Sequence, residues 1–430
     1  MFRTTTLILA TLLTTAVFAQ EPDADDLERR VRDLEARVQQ LQNAAEIQRE
    51  IDVLTREIEA LKTGQQRRTA EANVSQYGLG AAASKVYRAD TGVSIGGYGE
   101  FVYQNFDAAG STDVADVLRG VLYTGYKFND RVLFNSELEV EHGSTEHGGA
   151  VSMEFAYLDY LLRPEANVRA GLVLVPVGLI NEQHEPTAYL GARRPLVERV
   201  IIPATWADLG AGLFGDAGRV SYRAFVVTGL NSEEFGPEEG IREGRQGGAE
   251  AAANDFAVVG RADWHPFEGT MFGGSLYSGN SGQGRGFGGR VTLGEVHADS
   301  KFRGISLRAL VARGTIGDAA RINDANGFEG ADSVGKSFGG WYVEGAYDIA
   351  PLLGRSSQSI APYARYEQLD TQRSVPAGFS RNPANDQKIL TLGLAWKPIS
   401  QTVIKADWQN VKNRAHTAGD QFNIALGYIF

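Results

Sequence analysis

From Gly92 onward, apolar and polar residues alternate with period two in segments of about ten residues, separated by turn-rich pieces. Successive side chains of a strand point to opposite faces, so each segment predicts a strand with one apolar and one polar side. The segments fall at roughly 92–106, 115–128, 131–142, 150–162, 166–175, 207–214, 219–229 and 254–265, then at 268–278, 287–297, 302–313, 338–349, 359–369, 388–397, 402–411 and 421–430. The connectors alternate as well. FNDR at 128, RPEA at 163, GDAG at 215, HPFE at 265 and KPIS at 397 are short, whereas 176–206, 230–253, 314–337 and 370–387 are long. A soluble sandwich has no reason for that asymmetry. The pattern predicts an all-β transmembrane barrel of about 16 antiparallel strands, with short turns at one end and long loops at the other.

The segment FNSELEVEH fixes which face is which. Phe134, Leu138 and Val140 share one side, and Asn135, Glu137, Glu139 and Glu141 share the other. Charges facing hydrocarbon are expensive at mid-depth, so the acidic side must line the lumen. The same parity sends Arg119, Lys127, Arg169, Arg223, Arg261, Arg290, Arg308, Arg365 and Lys405 inward, with Glu100, Asp263, Glu344, Glu367 and Asp407. So many charges predict a wet interior, because ions buried without water cost several kcal/mol each. Segregated charge would give a transverse field across a pore; mixed charge would be a paired, structural lining. In segment 150–162, Glu154 and Asp159 fall on opposite faces, which predicts a bulge. Phe430, Tyr428, Trp396, Trp408, Trp341, Tyr126 and Phe128 are candidates for aromatic girdles.

The first sixty residues follow other periods. Arg3, the apolar run Leu7 to Val17 and the small-residue site before Gln20 read as a signal peptide over residues 1–19, too short to span a bilayer as a helix. Leu27, Val31, Leu34, Val38 and Leu41, then Ile47, Ile51, Leu54, Ile58 and Leu61, step by fours and threes. That seam predicts an α-helical coiled coil over 20–62, in the periplasm, with the barrel following it over 92–430. Residues 63–91, rich in Gln, Arg, Ala, Ser and Gly, read as a linker.

Composition sharpens this picture in three places. Glycine supplies 51 of 430 residues, above the usual ~7 % and without a collagen period, as tightly packed, curved strands require. There is no cysteine, so no disulfide scaffold is built. The formal net charge of −11 argues against a nucleic-acid partner.

The stretch VPVGLINEQHEPTAYLGARRPLVERVIIPATWADLG, 175–210, carries four prolines, the apolar run VIIP, and Glu182, His184, Glu185, Arg193, Arg194, Glu198 and Arg199. A water-exposed loop has no use for Ile201 and Ile202. The segment is therefore expected to fold into the lumen and form a pore constriction with the Arg193–Arg194 pair. In the alternative, these arginines pair with Glu198 or with a neighbouring subunit and the loop is structural.

Catalysis finds no support. His142, His147, His184, His265, His297 and His416 are scattered, and Glu141 and Glu146 beside the first two lack zinc-site spacing. The glycine strings IGGYG and RGFGGR lack the ending of a phosphate loop. No metal or other cofactor is expected. A second functional class is a structural tether or adhesin, in which the helix spans the periplasm toward the cell-wall layer and the barrel is mainly an anchor.

SIGGYGEF at 94–101, FNSELEVEH, EFAYLDYLL at 154–162 and the run 171–206 resemble porins of the phosphate-selective O and P type superfamily. The resemblance covers the barrel and not the amino-terminal helix. It implies a homotrimer of sixteen-stranded channels in outer-membrane lipid, narrowed by the third loop and passing small hydrophilic or anionic solutes. It also implies that Phe430 is read by the barrel-assembly machinery. The phosphate-specific members carry a lysine cluster that is not evident here, and a coiled coil ahead of such a barrel is similar to trimeric porins that take up carboxylates.

Overall fold

The computed structural model describes residues 28–37 and 75–430, except Ala109 and His147. The chain divides into two units, Met1–Ala70 and Glu71–Phe430. In the first, residues 28–37 form a helix on which Val31 and Leu34 are exposed. The signal peptide, the rest of the expected coiled coil, residues 63–74 and His147 lie outside the described residues.

The second unit contains sixteen strands. They are β1 (Gly92–Asp107), β2 (Val114–Lys127), β3 (Val132–Glu141), β4 (Val151–Arg163), β5 (Ala166–Leu174), β6 (Ala207–Ala217), β7 (Val220–Thr228) and β8 (Phe256–Phe267). The second half comprises β9 (Thr270–Asn280), β10 (Arg290–Phe302), β11 (Ile305–Ile316), β12 (Ser337–Tyr347), β13 (Ser359–Ser374), β14 (Asp386–Ile399), β15 (Thr402–Asn413) and β16 (Asp420–Ile429). Each strand pairs with its sequence neighbours, and β1 pairs with β16 to close the barrel. The closing ladder runs from Tyr98 opposite Ile429 to Asp107 opposite Asp420. Phe430 extends it: its N–H donates to Gly97 O at 2.9 Å, and Gly97 N–H donates to Phe430 O at 3.1 Å.

Period two explains the two surfaces. On β16, Phe422, Ile424, Leu426 and Tyr428 are exposed, whereas Asn423, Ala425 and Ile429 are buried. Leu390, Leu392 and Leu394 on β14 and Val296, Leu307, Val311 and Val343 on β10, β11 and β12 continue the apolar belt. Such a belt is stable only against hydrocarbon. Tyr126 and Phe128, with ring centroids 4.9 Å apart, and Tyr428 and Phe430 stand at the short-turn rim. Trp408 lies opposite Phe422 toward the long-loop end, and Trp341 packs 5.5 Å from Tyr366. Trp396 lies near the short-turn end, its indole N–H donating to Gln358 Oε1 at 3.1 Å.

The bulge is where alternation failed. Glu137 lies opposite Phe155 while Leu138 lies opposite Met153, so Glu154 is the extra residue and parity changes across it.

Three expectations need correction. Residues 75–89 are not a free linker: Leu79, Ala82, Ala83, Val86 and Tyr87 are buried inside the barrel unit, because their partners are distant lumen residues. Arg290 does not line the lumen. Its neighbours Val291 and Leu293 face inward, so Arg290 is exposed on the outer side, where Nη1 donates to Ser278 Oγ at 3.2 Å. It is the first residue of its strand at the long-loop rim, and a charge there can face outward into water. The lumen is also not wet throughout, since Trp206, Arg169, Arg365, Phe155 and Tyr277 are all nearly inaccessible within it.

A matched pair of substitutions tests closure. A Cβ at Gly97 would collide with the Val121 carbonyl and come within 2.7 Å of the Phe430 ring, whereas one at Gly120 meets nothing within 4 Å. Gly97→Val should abolish the heat-modifiable folded form, and Gly120→Val should retain it. Equal behaviour of the two would refute this account of the seam.

Candidate functional site: a loop-spanned lumen with unpaired guanidinium groups

Residues 175–206 leave the end of β5 and cross the lumen, held by inward-facing side chains around the wall. Glu182 meets Arg223 at 3.0 Å and Arg261 at 3.7 Å. Thr187 O accepts from Lys397 Nζ at 2.8 Å, and Ala188 O accepts from Arg308. Tyr189 donates to Glu100, Ala192 N–H to Asp407 at 2.6 Å, and Val197 N–H to Glu367 at 3.2 Å. These partners come from β1, β7, β8, β11, β13, β14 and β15, so the loop is a plate fixed on nearly every side. Its own fold has an internal staple: the Glu198 carboxylate accepts from Leu179 N–H, Ile180 N–H and the Tyr342 hydroxyl at 2.6–2.9 Å. Burial raises the Glu198 pKa above the ordinary range, opposed by the Tyr342 and Ile180 donors. Ile201 and Ile202 are fully buried beside it, as their apolarity requires.

The sequence-selected residues thus separate into two groups. Glu182, His184, Glu185 and Glu198 hold the loop. Burial raises the Glu185 pKa, opposed by the Ala83 and Ala82 N–H groups that its carboxylate accepts from at 3.1 and 2.8 Å. His184 is bonded through both ring nitrogens, Nδ1 to Asn181 O at 2.8 Å and Nε2 to Glu137 at 3.0 Å. Both partners accept hydrogen bonds, which favours the doubly protonated ring. Burial opposes that charge, yet the Glu137 carboxylate prevails and the pKa is raised.

Arg193, Arg194 and Arg199 form the second group. Two cavities of about 450 and 440 Å³ open toward the long-loop end, and both are lined by these three arginines and Glu239. What decides the local field is pairing rather than count. Arg119 pairs with Glu100 and Glu139 at 3.3 and 3.5 Å, and Arg242 lies 3.6 Å from Glu243. Among the described residues, the Arg193 and Arg199 side chains make no hydrogen bond or ion pair, while Arg194 reaches only His184 O at 3.3 Å and leaves its buried Nε without a partner. Burial, with the nearby guanidinium groups of Arg199 and Arg119, pushes Arg193 down to about 10. Burial likewise lowers Arg199, and with Arg245 and Arg199 pushes Arg242 down to about 9. A guanidinium that holds its proton less tightly because cations surround it is one that a bound anion would stabilise. Glu141 and Glu238 line the same vestibule and oppose this field.

The wall arginines have a different role. Arg169 is bonded to Asp159 at 2.8 Å, Arg223 to Asp263, Arg261 to Asp263 at 2.8 Å, Arg308 to Asp299 at 2.6 Å, and Arg365 to Glu344 and Glu367 at 3.2 and 3.0 Å. They are a mixed, paired lining. Of the Glu137, Glu139 and Glu141 stripe, only Glu141 is not fully buried.

Below the plate, a cavity of about 350 Å³ opens toward the short-turn end between Lys301, Arg303, Arg308, Lys397, Glu344 and Asp348. Tyr189 lines this cavity and one upper cavity, and Glu344 below is bonded to Arg365 above. The partition is therefore about one side chain thick. Lys405 sits in it with Nζ 3.6 Å from the Tyr189 ring centroid.

Sequence reasoning missed the second inward loop. Leu230, Phe235 and Ile241 are buried, and Arg242 and Arg245 donate to Ala204, Pro203 and Thr205 carbonyls, clamping the end of the plate. Two arginines three apart inside an otherwise acidic loop were the available signal. Lys397 and Lys405 are also drawn together from adjacent strands. Among the described residues, no cluster of three or more His, Cys, Asp or Glu is placed to hold a metal ion.

Sixteen antiparallel strands in a closed ring, short turns at one end and an inward-folded loop after the fifth strand define a barrel of the outer-membrane type. Three solved structures share that fold: OmpF of Salmonella typhi in complex with daunomycin (TM-score 0.52, 12 % identity, 79 % of this chain and 97 % of that one), the outer membrane channel DcaP of Acinetobacter baumannii (0.51, 12 %, 79 % and 97 %), and OmpT of Vibrio cholerae in its trimer form (0.50, 12 %, 79 % and 100 %). No family model matches the chain. The chain belongs to the same family as an uncharacterized protein of Aquifex aeolicus, with which it is 35 % identical over 371 residues, 84 % of this chain and 85 % of that protein.

The His184 clamp makes stability depend on pH. A histidine raised in the folded state contributes stability that is full below its unfolded value near 6.5 and lost as pH rises through the folded pKa. Resistance to urea and to proteolysis at residues 180–190 should fall between pH 6 and pH 9 in the parent and less steeply in His184→Gln. Identical pH profiles would remove His184 from this role.

Proposed function

We propose that the protein is an outer-membrane porin, a water-filled channel for passive diffusion of small hydrophilic solutes with a weak preference for anions such as phosphate or carboxylates. The observation that carries this reading is the ridge of Arg193, Arg194 and Arg199 shared by two water-accessible cavities, with two of the three side chains unpaired. A tether or an enzyme of this fold has no need of guanidinium groups left without a bonded carboxylate above a thin partition. Inside a confined lumen the dielectric is below that of bulk water and screening is incomplete, so these charges attract anions over several ångströms. Glu141 and Glu238 keep the preference weak.

The likeness to an outer membrane channel and to an outer membrane protein seen as a trimer supports the same reading. The short-turn end then faces the periplasm, where the amino-terminal helix carries Val31 and Leu34 exposed for self-association. A homotrimer joined by that coiled coil, assembled through recognition of Phe430 and reaching toward the cell-wall layer, is the arrangement we favour. Relationship to the phosphate-selective superfamily is part of this proposal.

Two measurements test it. Purified protein in planar bilayers should conduct in discrete steps, and Arg193→Ala/Arg199→Ala should move the reversal potential in a salt gradient toward cation preference with only a modest rise in conductance. An unmoved reversal potential would make these arginines structural, and impermeable bilayers would favour an anchor. Native mass measurement should give three copies, and Asp at Val38 and Ile51 should weaken association while the barrel stays folded; a stable parent monomer would end the trimer reading.

A further inference from the structure

Residues 75–89 lie within the short-turn half of the lumen, on the side of β1 to β7. The segment is folded in its own right: Ser84 Oγ donates to Gly80 O at 2.8 Å and accepts from Gln76 N–H at 2.9 Å, and Lys85–Arg88 form a helical turn. Its outward bonds fall on polar wall groups. Asn135 Nδ2 donates to Ala83 O at 3.0 Å, Lys127 Nζ to Ala89 O at 3.0 Å, and the Tyr87 hydroxyl to Asp159 at 2.7 Å while accepting from Arg169 at 2.7 Å. One face touches the plate, where Ala82 and Ala83 N–H hold Glu185.

We propose that residues 75–89 are an autoinhibitory plug: they close the β1–β7 half of the lumen, and their withdrawal opens a second aqueous path beside the arginine-lined one. The wall behind it mixes polar Asn135, Asp159 and Arg169 with apolar Leu133, Phe155 and Phe214. Two features favour a removable part over a permanent core. The sixteen-strand ladder closes through β1 and β16 without using the segment, so it can leave with the ring intact. The plug also touches the plate, with its backbone N–H groups at Glu185 adjoining the His184 clamp, so its departure frees the plate on that side.

The inference rests on the channel reading, and the experiment separates the two. In the full chain, residues 76–88 are replaced by a Gly-Ser repeat of equal length, and single-channel conductance is compared with the parent. A rise of roughly half or more, in a barrel that keeps its heat-modifiable mobility, is expected. Equal conductance in folded parent and variant overturns the plug and leaves the channel standing; silence in both overturns both, and conduction by the variant alone supports the plug. Should the replacement fail to assemble, the cysteine-free chain offers a second test. Cysteines at Val86 and Gly125, whose Cβ positions lie 2.8 Å apart, can be bridged with about 1 Å of adjustment. The reduced form should show larger transient conductance levels that oxidation removes; indistinguishable traces overturn the proposal.

Discussion

Hydrocarbon offers no hydrogen bonds to an exposed peptide group, and that constraint orders everything else in this molecule. A sheet facing lipid must have no edge, so the last strand must find the first, and the mutual bonds of Gly97 and Phe430 finish the ring at the short-turn rim. Once the ring is closed, alternation follows: every outward residue is answerable to lipid and every inward one to whatever fills the lumen. The two glycines of β1 beneath Phe430 and Tyr428 show the cost of closing tightly, since a Cβ at either would meet an aromatic ring.

The filling is polar, and polar groups removed from water need partners. The plate meets this need by placing its carbonyls and carboxylates against the wall, while the wall arginines are matched to carboxylates of neighbouring strands. Charges that stay unmatched are few and close together, which makes the Arg193 and Arg199 side chains conspicuous. A lumen whose wall arginines are paired concentrates its field at the ridge whose arginines are not.

The strands were legible in the sequence because lipid enforces period two residue by residue. All sixteen were placed, and their ends shifted most where lipid no longer applies. β13 continues to Ser374 through the polar Asp370, Thr371 and Gln372, and β10 starts after the glycine-rich stretch 284–289. Arg290 was assigned to the wrong face for the same reason. The plate was recognisable from Ile201 and Ile202, which water would not tolerate. Residues 75–89 and the Arg242–Arg245 clamp were not, because alanine, serine and glycine carry no period and their partners stand far away in sequence: Glu185 is 103 residues from Ala82. The separation between arginines that line the vestibule and those that hold the wall was likewise invisible, since it depends on distances between strands.

The plate also imposes an order of events on synthesis. Ala192 bonds to Asp407 and Thr187 to Lys397, more than 200 residues later in the chain. Long loops close slowly, and strands that do not yet exist cannot anchor anything. The segment 175–206 can therefore be held early only by β1, β3, β7 and β8, and its docking is completed when the fourteenth and fifteenth strands are in position. A barrel stalled before β11 to β13 are in place would leave Ile201 uncovered, the kind of apolar surface by which unfinished chains are distinguished from finished ones.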